Sequence, residues 1–141
     1  MNVNINDSGI VIGAGRTERA IAIDVVREFL DALGRRDLEA ARAYLAPGFT
    51  MTVPGNQRFR TLAEYAAYSA SRNGPVRMQI DGLEACEAPV GLAVYASGTM
   101  SGNWLDGSAF HGVRFCDRFV LRDGLVAELQ AWNDIAELRP R

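Results

Sequence analysis

The sequence predicts an α+β fold in which N-terminal helices are followed by a meander of long antiparallel strands. Two observations carry this. Apolar residues recur at helical spacing up to about residue 72, and after Asn73-Gly74-Pro75 the texture changes to strand-like runs separated by Asp-Gly and Pro-Val-Gly turns. At 141 residues, 48% hydrophobic and 23% charged, the chain fits one globular domain. We assign it to residues 17–141, with 1–16 as an Asn- and Gly-rich arm. Gly13-Ala14-Gly15 in that arm lacks the third glycine of a dinucleotide loop, since Glu18 stands in its place.

Thr17 is a plausible N-cap for a first helix with Ala22, Val25, Val26, Phe29, Leu30 and Leu33 on one face, ended by Gly34. Asp37 caps a second helix carrying Leu38, Ala41 and Leu45, stopped by Pro47-Gly48. Phe49–Val53 alternates like a short strand. A third helix spans about 61–72 and presents Leu62, Tyr65, Ala66 and Ser69 on one side. Strands are expected at about 76–87, 91–101, 108–122 and 125–133.

Face assignment follows from the two-residue period of a strand. The inward set of the long run is Ala109, His111, Val113, Phe115, Asp117, Phe119 and Leu121. Opposing Leu121 to Leu125 requires a three-residue Arg122-Asp123-Gly124 loop. That register sets Arg118 across from Glu128 and Arg114 across from Trp132. A two-residue Asp106-Gly107 turn brings Leu92, Val94, Ala96, Gly98 and Met100 onto the same inner face.

Composition excludes several chemistries. A net charge of −2 disfavours nucleic acid and anionic membrane as partners. All 15 basic residues are arginine, so Schiff-base and P-loop lysine chemistry are excluded. The single histidine cannot build a zinc site of two or three imidazoles. Cys86 and Cys116 form no zinc or disulfide pattern and fit a reducing compartment. With no apolar run long enough for a bilayer and no secretory signal, a cytoplasmic location is expected.

The inner sheet face has three polar exceptions: His111, Asp117 and Asn133. A carboxylate at Asp117 among Phe115, Phe119, Ala96 and Leu129 pays for desolvation when ionised, which raises its pKa into the range of a general acid or base. Alternatively an arginine or hydroxyl satisfies it and it holds the sheet together. His111 lies six residues away, about 20 Å along an extended strand, so a His–Asp dyad is not expected. It is a rim residue or a core histidine. Asn133 anchors a ligand carbonyl or ends the strand. Tyr65 is the best phenol donor, and Trp104 is a pocket lid or a hairpin-tip residue. Trp132 is explained by an interface or by packing on Arg114.

The order of elements, with Arg35-Arg36-Asp37-Leu38, Tyr44-Leu45-Ala46-Pro47-Gly48-Phe49, Cys116-Asp117-Arg118-Phe119-Val120-Leu121-Arg122-Asp123-Gly124 and Trp132-Asn133-Asp134, resembles the SnoaL-like branch of the nuclear-transport-factor-2-like superfamily over about residues 17–137. The resemblance implies a cone-shaped curved antiparallel sheet wrapped around a helical layer, with a deep pocket for a small hydrophobic molecule. It also implies a homodimer through the outer sheet face, where Trp132, Val126 and Val120 are expected. Asp117 looks like the pocket aspartate of the cyclases. The isomerases' tyrosine falls on Phe29 and their proton-abstracting aspartate on Val53, so steroid isomerisation is disfavoured while both positions line the pocket. The dehydratases' second histidine is absent, and Arg114 and Arg118 point away from any epoxide-hydrolase relay. What remains is cofactor-independent acid/base chemistry at Asp117 on a hydrophobic carbonyl compound, of cyclase or isomerase type. The alternatives are a binding or accessory protein for a hydrophobic ligand, or a structural dimer with a vestigial pocket.

Overall fold

The computed structural model describes residues 17–140, so the N-terminal arm lies outside the described residues. Helix α1 spans Glu18–Gly34, and the Thr17 hydroxyl accepts from Ala20 N at 3.1 Å. Its buried face is Ala22, Val26, Phe29, Leu30 and Ala32. The helix ends at Gly34 as expected, but the left-handed residue that closes it is not the glycine. Arg36 takes the left-handed conformation (φ 58°), with Arg36 N donating to Leu33 O and Asp37 N to Ala32 O, a Schellman ending built on a non-glycine residue. Asp37 then caps α2 (Leu38–Arg42) by accepting from Ala40 N at 3.1 Å. Helix α2 is a turn shorter than its pattern suggested, because the chain becomes extended from Leu45 onwards.

Strand β1 (Leu45–Val53) turns through Pro54-Gly55-Asn56 into a three-residue β2 (Gln57–Phe59) that the sequence reading did not identify. Helix α3 (Leu62–Ala70) starts with a capping box, in which Glu64 N donates to the Thr61 hydroxyl and Thr61 N donates back to the Glu64 carboxylate. The long strands β3 (Asn73–Ala88), β4 (Gly91–Trp104), β5 (Ala109–Arg122) and β6 (Leu125–Asn133) follow, and a 3-10 turn over Ile135–Leu138 closes the described chain.

The sheet is curved and unclosed, with the order β2-β1-β6-β5-β4-β3. It is antiparallel except where β1 lies parallel to β6, for example Thr50 opposite Glu128. This corrects the wholly antiparallel expectation: β1 and β6 are far apart in sequence, and no turn signal reports their direction. The concave face carries α1, and Val26, Phe29, Val94, Phe119, Val126 and Leu129 form the fully buried centre of the core.

Both β5 hairpins depart from the expected turns and still bury Val113, Phe115, Asp117, Phe119 and Leu121, whereas Ala109 and His111, expected inside, are exposed and Phe110 is buried. The β4–β5 connection is a three-residue Leu105-Asp106-Gly107 loop, closed by Trp104 N donating to Ser108 O. Further along, two β5 residues, His111 and Gly112, oppose the single Ser101, and this bulge restores Met100 to Val113 and Ala96 to Asp117. The β5–β6 connection is a two-residue turn on Asp123 (φ 54°) and Gly124 (φ 78°), as a type I′ turn needs. An extra residue at Ala127 then resets the ladder to Phe119 opposite Leu129 and Asp117 opposite Ala131. Consequently Arg118 faces Gln130 rather than Glu128, and Trp132 faces Cys116 rather than Arg114. Val126 turns into the core instead of the outer face.

Curvature is concentrated where β3 inserts Asp81 between Ile80 (opposite Gly98) and Gly82 (opposite Ser97). There the strands come so close that a Cβ on Gly98 would lie 1.9 Å from the Gln79 carbonyl oxygen. Only glycine fits that crossing.

Candidate functional site

Among the described residues Asp117 is the one carboxylate of the sheet's inner face, in the middle of β5 between Ala96 on β4 and Ala131 on β6. It is 8% exposed, against 0% for its neighbour Phe119 and 5% for Phe115. No hydrogen bond or ion pair reaches its carboxyl among the described residues. The arginines that flank it in sequence turn to the outer face. Arg118 donates to Gln130 Oε1 at 3.0 Å and lies 3.7 Å from Glu128, while Arg114 pairs with Asp134 at 2.9 Å. Burial without a counter-charge pushes the Asp117 pKa up from 3.8 to about 7. An acid held there exchanges its proton readily at neutral pH.

The half-buried Tyr65 of α3 is the phenol nearest this acid in electrostatic terms. Its pKa is raised first by burial and then by the charge on Asp117, and a hydrogen bond with Ser69 works in the opposite direction. Phe59 on β2 stacks edge-on to Tyr65 (5.9 Å between centroids) and against Tyr68 (5.2 Å), which fixes α3 over the sheet. The sequence reading missed Phe59 because three residues after Pro54-Gly55-Asn56 carry too little period to mark a strand.

The other predicted site residues scatter. Phe29 packs edge-on to Phe119 with centroids 6.0 Å apart, and Val53 is 6% exposed, so both belong to the main core around the acid. Asn133 sits at the end of β6 opposite Phe115, and its Oδ1 accepts from Ile135 N at 3.2 Å, so the side chain also ends the strand. His111 is exposed and turned out of the inner face, because the bulge at His111-Gly112 breaks the alternation and places two successive residues on the outer side. A glycine within a strand, here Gly112 (φ 68°), is the signal that marks such a break in alternation. Trp104 does not cover the acid either. With Phe110 and Val113 it forms a separate small cluster at the hairpin tip, and the Arg139 guanidinium lies 5.0 Å from its ring centroid.

Two concavities of about 330 and 420 Å³ mark the surface, and neither is lined by Asp117. The first lies over the β3–β4 ladder beside Gly112, and the second lies where β1 leaves β6. No helix among the described residues is long and apolar enough to cross a membrane.

The family model for the SnoaL-like domain matches residues 26–129, a span that contains the helical layer, Asp117 and most of the sheet. The chain belongs to the SnoaL-like domain family. No curated protein matches it significantly in sequence. Solved structures similar to this SnoaL-like chain include an NTF2-like protein of unknown function from Burkholderia pseudomallei, at 21% identity and TM-score 0.70, covering 84% of this chain and 94% of that one. TerC co-crystallised with polyporic acid is similar at 17% identity and TM-score 0.72, covering 84% and 95%. An LEH-like epoxide hydrolase from M. tuberculosis is similar at 21% identity and TM-score 0.63, covering 85% and 87%. At these identities the likeness establishes an NTF2-like fold.

Proposed function

We propose that this SnoaL-like protein binds a small hydrophobic molecule between sheet and helices, and that Asp117 moves a proton on it without a cofactor. The observation that carries the reading is a buried carboxyl with no ion-pair partner and a pKa of about 7. Ionised, Asp117 removes a proton α to a carbonyl; protonated, it delivers one to an enolate. The low dielectric around Phe115 and Phe119 strengthens both interactions with the reacting atoms. In this reading Tyr65 donates to the carbonyl oxygen, a role supported by its raised pKa, since such a phenol keeps its proton. This is the chemistry of a cyclase or isomerase acting on an uncharged carbonyl compound. Family membership and the co-crystallisation of the similar TerC with polyporic acid support a small-molecule ligand for this chain.

Exchange of the α-hydrogens of 2-tetralone for deuterium, followed by NMR, tests the reading. The protein should accelerate exchange over buffer, with a rate rising through pH 7 as Asp117 ionises, and Asp117→Asn should remove the acceleration. Equal rates for the two proteins refute proton transfer by Asp117.

A second reading, a non-catalytic carrier of a hydrophobic ligand, is favoured by one observation. Phe29 and Val53, which stand where the isomerases hold their tyrosine and base, are packed to 0% and 6% exposure and supply no polar group.

A further inference from the structure

The notch between β1 and β6 is not used by the chemistry above. The β1–β6 ladder ends at Thr52 opposite Gln130, where Pro54 and Gly55 carry β1 away into its hairpin, while β6 continues to Asn133. Among the described residues, no strand lies against the edge of β6 from Ala131 to Asn133 that faces away from β5. The notch left there has a volume of about 420 Å³, within the range of small-molecule sites and far below what a protein partner would occupy.

Its walls have a definite chemistry. Val53, Pro54 and Ala131 are apolar, Asn56 and Gln130 are polar and uncharged, and no ionisable side chain lines it. Trp132, next to the end of β6, forms a further wall and is 52% exposed, although a strand indole ordinarily finds cover. Among the described residues no ring or guanidinium packs on it, and Arg114, the expected partner, is engaged by Asp134 instead. Nor does the surrounding face make a broad apolar patch. Of the three residues expected to form a dimer contact, Val126 is in the core and Val120 is 6% exposed.

We propose that this notch is a binding site for a flat, uncharged aromatic group, which stacks on the Trp132 indole and takes hydrogen bonds from Asn56, Gln130 and the unpaired β6 edge. An aromatic face offers such a ring dispersion and offset stacking. No ionisable side chain lines the notch, and the neighbouring Arg118 is engaged by Gln130 and Glu128.

The two tryptophans make the test local. In a nitrogen-15 correlation spectrum the indole signals of Trp104 and Trp132 are separate reporters, assigned with Trp132→Phe. Titration of the intact protein with 2-naphthol should shift the Trp132 indole signal saturably and leave Trp104, in its own cluster, in place. Trp132→Ala should weaken binding at least about tenfold, the loss of one stacking ring. It removes an exposed side chain, so the fold is retained. Asp117→Asn should leave this titration unchanged, so its failure and that of the proton-transfer reading are seen separately. The proposal is overturned if the Trp132 signal does not move at millimolar 2-naphthol, or if both indoles drift together without saturating. It is equally overturned if the protein is a dimer that Trp132→Ala dissociates, since the notch is then an interface between copies.

Discussion

Replacing Asp117 by asparagine should stabilise the protein, increasingly so as the pH rises. Its folded-state pKa of about 7 lies roughly three pH units above the 3.8 of the free side chain. Below pH 3.8 both forms of the chain hold most of the proton, and ionisation costs the fold little. Between pH 4 and 7 the unfolded chain ionises while the folded one does not, so stability falls by about 1.4 kcal/mol per pH unit. Above pH 7 the penalty is complete, at about 4 kcal/mol. Asparagine keeps the shape and carries no charge, so the variant escapes this loss. At pH 8.5 its melting temperature should exceed the wild type's by about 10 °C, taking roughly 2–4 °C per kcal/mol for a domain of this size. At pH 4.5 the two should melt within a few degrees of each other. Thermal melts at these pH values decide the matter. A difference that does not change with pH, or an asparagine variant less stable at pH 8.5, would refute the claim of an unpaired buried acid. Gain of stability together with loss of proton transfer is what a strained functional group predicts.

Further tests concern the scaffold. Gly98→Ala sets a methyl against the Gln79 carbonyl at 1.9 Å; it should cost at least about 3 kcal/mol, seen as a lowered urea midpoint or loss of soluble protein. Arg36→Gly relieves a left-handed non-glycine residue at the end of α1 and should add about 1 kcal/mol in the same urea titration. Phe119→Ala empties the centre of the core and should cost about 4 kcal/mol. Glu64→Ala opens the capping box of α3 and should cost about 1 kcal/mol, lowering the melting temperature by a few degrees.

What could be read from the sequence was whatever a period of two or of 3.6 enforces. Leu121, Phe119, Asp117 and Phe115 face inward, opposite Leu129 and Ala131, although each hairpin reaches that register by another route: a loop longer or shorter by a residue, offset by a bulge. Burial decides which face is inside, and alternative turns that satisfy it differ little in free energy. Asp117 was legible for the same reason, as an acid on an apolar face. His111 was misplaced because alternation stops at a bulge, and Trp104 because a hairpin tip can build its own cluster. The parallel contact of β1 with β6, and hence the notch beside Trp132, left no local trace, since its ladder joins residues some seventy-eight positions apart, as Thr50 and Glu128 are.

The rims of the sheet differ in how they discourage pairing with other chains. β2, at one rim, is three residues long and offers little to grip, whereas β3, at the other, runs for sixteen. β3 is kinked at Asp81 and carries Arg77, Glu84 and Glu87 along its length. A stray strand approaching it would meet an uneven hydrogen-bonding edge and have to strip water from ions. The same inserted residue that bends the sheet around its helices thus also guards a long open border against fibrous growth.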